Sequence, residues 1–281
     1  MTARFLGLRA LVTGASRGIG AAVAERLAAE GANVAIAART LDAREGLPGS
    51  LSETAARLDR YGRTVSVVVT DLTDDAARAR VVPEAVEALG GSLDILVNNA
   101  AAAIYGEVAD LPLRRRRVMF EANVHAPLDL AQAALPAMRA AGRGWIVNVT
   151  SRAARSWPGP PFELGPNRTT IALYGASKAA LDRVTNGLGA ELVGTGVRVN
   201  GIAPRAAVLT EGARELVGAT LEGGKVESLE EMVEAVVALC ACPEEVTGQV
   251  HVSLDLIADW GLTVHELDGS PRVSDRPAPG S

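Results

Sequence analysis

Seven short apolar runs punctuate this chain, most of them lacking the strict polar alternation of a half-exposed strand. They are Arg9–Thr13, Asn33–Ala38, Val65–Thr70, Leu93–Asn98, Trp145–Thr150, Val197–Ile202 and Gln249–Leu254. A strand that is apolar on both faces must be covered on both faces, which is the situation inside a parallel sheet. Longer Ala- and Leu-rich stretches lie between the runs. Ile19, Val23 and Leu27 recur at every fourth position and predict a helix ending at Glu30-Gly31. Further helices are predicted at Leu51–Tyr61, Asp75–Leu89, Leu113–Met138 with a kink at Pro127, Tyr174–Val193 and Leu229–Cys240. This alternation specifies an α/β fold: a doubly wound parallel sheet, helices on both faces, right-handed crossovers.

The pattern fills residues 1–267 without internal repeat, as one domain. The last 14 residues, Asp268–Ser281, hold three Pro, two Gly and three Ser, a composition that predicts a disordered tail. Thr40–Ser50 and the Pro-rich stretch Arg152–Ile171 look inserted. Composition narrows the function classes. The 28 basic and 33 acidic residues leave a net charge of −5, which argues against a nucleic-acid partner. The run Arg114–Arg117 has no interleaved aromatics and cannot share one helix face, so it reads as a solvated face or a subunit contact. Cys240 and Cys242 are too few and too close for a disulfide framework, and His125, His251 and His265 lack metal-ligand spacing. No apolar run approaches the roughly 20 residues of a membrane span. Strand-like sequence begins at once after Met1–Leu8, so the expectation is a soluble cytoplasmic enzyme.

The first strand runs into Thr13-Gly14-Ala15-Ser16-Arg17-Gly18-Ile19-Gly20, which opens the first helix. Glycines there permit a tight turn and close backbone approach to a pyrophosphate, and the helix N-terminus offers N–H groups and positive potential. The second strand ends Ala37-Ala38-Arg39, without the acid that pairs with a free ribose 2′-hydroxyl. Arg39 and Arg17 can instead grip a 2′-phosphate, which favours NADP(H) over NAD(H).

In Tyr174-Gly175-Ala176-Ser177-Lys178, Tyr and Lys are four residues apart and share a helix face. A phenol works as an acid/base near neutrality only if its pKa falls below about 10, and a nearby ammonium moves it that way.

With the Thr13–Gly20 loop, Asn98-Asn99-Ala100, Asn123, Thr150-Ser151 and Tyr174/Lys178 in this order, the chain resembles the short-chain dehydrogenase/reductase family. The resemblance runs from about Leu8 to Leu254. Leu47-Pro48-Gly49-Ser50 is similar to its hydroxysteroid dehydrogenase-like members, with 3-oxoacyl reductase-like members nearby. The resemblance implies a seven-stranded Rossmann-type sheet, hydride exchange between a nicotinamide and a small carbonyl or alcohol substrate, and a homodimer or homotetramer. It implies that Tyr174 is the general acid/base, that Lys178 binds the nicotinamide ribose and lowers the Tyr174 pKa, that Ser151 holds the substrate carbonyl, and that Asn123 supports a water-linked proton relay. Gly14, Ser16, Arg17, Gly18, Ile19, Gly20 and Arg39 would hold the phosphates. Asp71, with Leu72, would bind the adenine; Asn98 and Ala100 would line the adenosine ribose; Pro204 and Thr210 would lie at the nicotinamide.

The chain departs from the family pattern in three places. Ala101 stands where a glycine is usual, Arg205 replaces the glycine after Pro204, and Thr210 is one residue further from Pro204 than is common. Tyr174 follows Ser151 by 23 positions, and about half that spacing is usual in the family. The extra length, with Trp157 and Phe162, is expected to form a mobile wall or lid over an apolar substrate pocket, the alternatives being a subunit contact or an ordinary surface loop. The alternatives to an NADP-dependent ketone/alcohol oxidoreductase are an NAD-linked alcohol dehydrogenase and a catalytically silent dinucleotide sensor.

Overall fold

The computed structural model describes residues 3–43, 45, 46, 48–164, 167–208, 210 and 226–272. Seven strands form its main sheet: β1 (Arg9–Thr13), β2 (Asn33–Ala38), β3 (Val65–Val69), β4 (Ile95–Asn98), β5 (Gly144–Val149), β6 (Val197–Ala203) and β9 (Val250–Val252). The sheet is wholly parallel, in the order β3-β2-β1-β4-β5-β6-β9. A two-residue pair, β7 (Ala207–Val208) with β8 (Val226–Glu227), stands apart from it.

Helices α1 (Gly18–Ala29), α2 (Leu51–Asp59) and α7 (Leu229–Leu239) cover one face; α3 (Asp75–Ala88) and α5 (Ala126–Ala141) cover the other. Each face buries its own core. Leu27, Val34, Ile36, Val97 and Val236 lie in one; Leu11, Leu96, Leu130, Met138 and Ile146 lie in the other. Alternate residues of one strand therefore enter opposite cores, as Val34 and Ala35 do, which explains the missing polar alternation. Strand order reverses between β1 and β4, and the crevice outside their carboxyl ends is where a fold of this kind receives a ligand.

Three details differ from the sequence expectation. The long helix predicted at Leu113–Met138 is α4 (Leu113–Phe120), a π turn at Glu121–His125, and α5. The break thus precedes Pro127, which occupies the first turn of α5, where proline is tolerated. The last strand stops at Val252 and a helix that was not predicted, α8 (Ser253–Trp260), follows at once, ended by Gly261 in the left-handed region. The expected tail boundary also moves. Glu266 N–H donates to Ser270 O and Gly269 N–H to Glu266 O, both at 2.9 Å, and Pro271 pairs with His265. Residues 273–281 lie outside the described residues.

A buried ionic cluster draws that segment in. Arg26 of α1 and Glu234 of α7, only 1% and 2% exposed, meet at 2.7 Å. Arg26 also donates to Glu266 O at 3.2 Å, and Glu234 accepts from the His265 backbone N–H at 3.2 Å. Arg4 reaches Glu30 and Glu234 from the amino-terminal segment. Burial pushes the Glu234 carboxyl up, but Arg26, His265 and Arg4 outweigh it and hold it below its ordinary value of 4.5. Glu234→Ala takes one of two carboxylates from the buried Arg26, leaving Glu30, and is expected to cost about 1–3 kcal/mol in a urea titration; an unchanged unfolding midpoint would contradict the cluster's role. The sign with pH follows from the depressed value. The contribution is present in full above pH 4.5 and is lost as the pH falls from there through the native pKa.

Candidate active site

The site is assembled from loops at the carboxyl ends of β1, β2, β4, β5 and β6. After β1, Gly14 has φ +66°, and a Cβ there would fall 2.8 Å from Ala100 Cα. At Gly20 an added Cβ would be 2.4 Å from Gly14 O and from Asn99 Nδ2. Only glycine lets this turn close on itself and on the chain after β4. Ser16 is buried in the turn, and Ile19 packs partly buried on the core. Arg17 is the N-cap of α1, yet no side chain caps the first turn, so the helix end keeps its N–H groups for an anion. Thr210, at the far end of the chain segment after β6, lies against this loop: a Cβ on Gly18 would be 3.3 Å from its Cγ2. A methyl on Gly49 would fall 2.7 Å from Arg17 Cβ, so the segment before α2 also closes on the loop. Leu47, of the stretch Leu47-Pro48-Gly49-Ser50, lies outside the described residues.

Thr13 Oγ1 accepts from the N–H groups of Asn99 and Ala100, both at 3.1 Å, and Asn99 Nδ2 donates to Thr13 O and Gly14 O at 3.0 and 3.2 Å. Ala101 has no positive φ, the only non-glycine with one among the described residues being Arg168, so alanine is accommodated there without backbone strain. The Asn98 amide donates to Asn148 Oδ1 at 2.9 Å and to Pro127 O at 3.3 Å, tying β4 to β5 and α5. Asn99, unassigned from sequence, is the side chain that knits the glycine loop.

Arg39 follows β2, its side chain 72% exposed and 4.0 Å from Asp71. Burial pushes the Asp71 carboxyl up, but the Thr73 N–H and hydroxyl together with Arg39 hold it below its ordinary value. Leu72 is buried, its carbonyl bound by Arg78 at 2.8 Å. Pro204 follows β6 directly, and the next N–H, of Arg205, donates to Glu227 Oε2 at 2.8 Å and to Ser253 Oγ at 3.1 Å.

Ser151 follows β5 and caps a 3₁₀ turn, Arg152–Ala154, its hydroxyl oxygen accepting from Ala153 N–H at 3.2 Å. The same hydroxyl acts on the Tyr174 phenol and holds its pKa down against burial. Tyr174 lies in the first turn of α6 (Ala172–Glu191). The 3₁₀ turn presses on that helix so closely that a Cβ at Gly175 would fall 2.2 Å from Ala153 O. One turn on, Lys178 is fully buried and donates to Val149 O at 2.8 Å. The Asn123 side chain is buried in the π turn, bound to the Ala102 N–H and carbonyl at 2.8 and 3.0 Å and donating to Ser177 Oγ at 2.9 Å. It clamps the loop after β4 to α6. The structure brings Ser151, Tyr174 and Lys178 together, with Asn123 one link behind them.

In the chain by itself, burial sets the electrostatics of Tyr174 and Lys178. Burial pushes Tyr174 up to about 12, helped by Tyr105 and opposed by Ser151. Burial also pulls Lys178 down to about 8, with Asp182 opposing. Desolvation of the dry pocket therefore exceeds any help from Lys178, whose ammonium is held at the Val149 carbonyl. Tyr105 was not foreseen; its half-exposed ring, 44% accessible, meets Tyr174 edge-on at 5.9 Å. The long segment after Ser151 returns beside it: Gly106 N–H donates to Thr170 O at 2.9 Å, and Thr169 bonds Glu107 at 2.7 Å. Phe162 is 62% exposed and Trp157 half-buried.

Both cysteines are buried, and burial pushes both thiols up, so neither is a ready nucleophile. Among the described residues no cluster of His, Cys, Asp and Glu is arranged to hold a metal ion, and no helix is long and apolar enough to cross a membrane.

Comparison with known proteins agrees with this geometry. The sequence profile described as short chain dehydrogenase matches residues 9–219. Hydroxysteroid dehydrogenase-like protein 2 of Danio rerio is 32% identical over 267 residues, 93% of this chain and 60% of that protein. The chain thus spans about 60% of the length of such relatives. A 3-oxoacyl (acyl-carrier-protein) reductase from Agrobacterium tumefaciens, solved with NADP bound, superposes with a TM-score of 0.74 at 30% identity, covering 88% of this chain and 93% of that one. A short chain dehydrogenase from Burkholderia cenocepacia in complex with NADP gives 0.73 at 32% identity, covering 89% and 97%. The strand order, the glycine turn, the Ser151–Tyr174–Lys178 grouping and these matches have one explanation: the chain belongs to the short-chain dehydrogenase family.

Proposed function

We infer that this protein reduces a ketone to a secondary alcohol, or runs the reverse reaction, with NADP(H) as cofactor. The observation that carries the inference is the turn after β5, which sets Ser151 against the start of α6, where Tyr174 lies one helical turn from a buried lysine and across the crevice from a turn that only glycine can make. Bound NADP(H) would supply or accept the hydride. Gly14, Gly18 and Gly20 with the open end of α1 would hold its pyrophosphate. Arg39 has no acidic neighbour on β2 and is free to turn towards a 2′-phosphate, because an exposed pair 4.0 Å apart such as Arg39–Asp71 binds it weakly. NADP-bound relatives of the same fold support that choice.

The chemistry of the phenol follows from its surroundings. A tyrosine lifted to about 12 stays protonated across the physiological range, and so serves as the proton donor to a ketone oxygen. The Ser151 hydroxyl, its oxygen already accepting from Ala153, would turn its proton from the Tyr174 oxygen to the same substrate oxygen when a ketone binds. Exclusion of water strengthens both hydrogen bonds. The family resemblance assigns Lys178 to the nicotinamide ribose, and its ammonium is fixed by Val149 at the right end of the sheet for that task. A homodimer or homotetramer accords with the same resemblance, and a cytoplasmic location remains part of this reading.

Tyr174→Phe is expected to lower kcat by about 10²–10⁴ on a panel of ketones with NADPH, while cofactor affinity measured by fluorescence titration stays within about twofold. Near-native turnover in that variant would overturn the assignment. For cofactor choice, the wild type should favour NADPH over NADH in kcat/KM, and Arg39→Ala should cut the ratio by about tenfold, the value of one charge-assisted hydrogen bond. Equal use of both cofactors by the wild type would refute the NADP preference and leave the fold untouched. Tyr105→Ala should raise KM for bulky apolar ketones by about tenfold, the equivalent of burying part of one aromatic ring, with KM for NADPH unchanged. If KM for such ketones does not move, Tyr105 is not part of the substrate wall.

A further inference from the structure

Lys178 sits in an expensive place. Its side chain is fully buried, and the described hydrogen bond of its Nζ is to a neutral carbonyl, Val149 O. A lone ammonium in such surroundings tends to shed its proton unless an opposite charge is near. The next residue after Val149 is Thr150, and its hydroxyl donates to Asp182 Oδ1. Asp182 lies one turn beyond Lys178 on the same helix, where residues four apart are neighbours. One short path, Val149 to Thr150, therefore fixes both the ammonium and a carboxylate.

We propose that Asp182 is a positioning residue that keeps the Lys178 ammonium charged inside its dry pocket, with Thr150 as the clamp that holds the carboxylate in range. Each member of the pair acts on the other: Asp182 opposes the fall of Lys178, and Lys178 opposes the rise that burial imposes on Asp182. From the other elements packed on α6, Arg155 also acts on Asp182. Arg198 of β6 lies over the Trp145 ring, His251 of β9 meets the Trp260 ring of α8, and Glu121 of the π turn pairs with Arg78. His125, Arg168 and Arg114–Arg117 are exposed. Asp182 is thus the carboxylate acting on Lys178.

The inference depends on the proposed function only for its kinetic consequence, so the first measurement needs no turnover. The chain contains two lysines, Lys178 and Lys225. In full-length protein labelled with ¹³C,¹⁵N-lysine, Lys225→Arg leaves the Lys178 signal alone to be titrated by NMR. Asp182→Asn should lower the Lys178 midpoint by about one unit or more, and Asp182→Glu should return it towards the wild type. Thr150→Val, which keeps the charge but removes its clamp, should shift it the same way by less, and provides the measurement if Asp182→Asn does not fold. The alkaline limb of kcat/KM for ketone reduction should then move down with the Lys178 midpoint. An unmoved Lys178 midpoint overturns the proposal, whatever the kinetics. A Lys178 midpoint that falls while the alkaline limb stays put leaves Asp182 as the guard of the ammonium and refutes instead the use of that charge in turnover.

Discussion

The amide of Asn99 and the hydroxyl of Thr13 bind the two halves of this molecule at the point where the sheet changes direction. Thr13 ends β1 and leads into the glycine turn; Asn99 follows β4 and leads towards the loop that carries Ala102 and Tyr105. The hydrogen bonds exchanged across this seam set the depth of the crevice. Asn99 Nδ2 lies so near Gly20 that a side chain at position 20 would displace it. The shape offered to a dinucleotide and the position of the catalytic half are therefore one constraint, expressed twice.

From that seam the linkage continues without a gap. Ala102 grips Asn123, Asn123 grips Ser177, and Ser177 is one residue from Lys178 on the helix that also bears Tyr174. A π turn costs a regular helix hydrogen bond, and such turns gather at functional positions. Here the turn brings the Asn123 side chain within reach of both the loop and α6. Tyr174 and Lys178 are buried behind this chain of contacts, and burial dominates their acid–base character. It lifts the phenol, depresses the ammonium, and makes each remaining neighbour count for more than it would in water.

The sheet was legible because each strand is apolar on both sides and each helix carries its own stripe, so local pattern and tertiary environment agree. Boundaries slipped where the environment decides. α8 begins at Ser253 inside a β-like run because the sheet ends there, and the segment around Glu266 is ordered by Arg26 and Glu234, residues far away in sequence. Ser151, Tyr174, Lys178 and the glycine turn could be found from order and spacing. Asn99, Tyr105 and Asp182 could not, since each acts through a partner that only folding brings near. The direction of the Tyr174 shift was hidden for the same reason: spacing puts a lysine beside a tyrosine but says nothing of how much water surrounds them.

The contact between Ala153 O and the bare α-carbon of Gly175 locks the first residues of the long segment after Ser151 onto the helix that carries the tyrosine. At the other end, Thr169 and Thr170 are pinned to Glu107 and Gly106. Exit and re-entry are thus anchored independently of whatever chain lies between. Fixed at both ends in this way, the segment can vary in length and sequence between its anchors without moving the Tyr174 phenol.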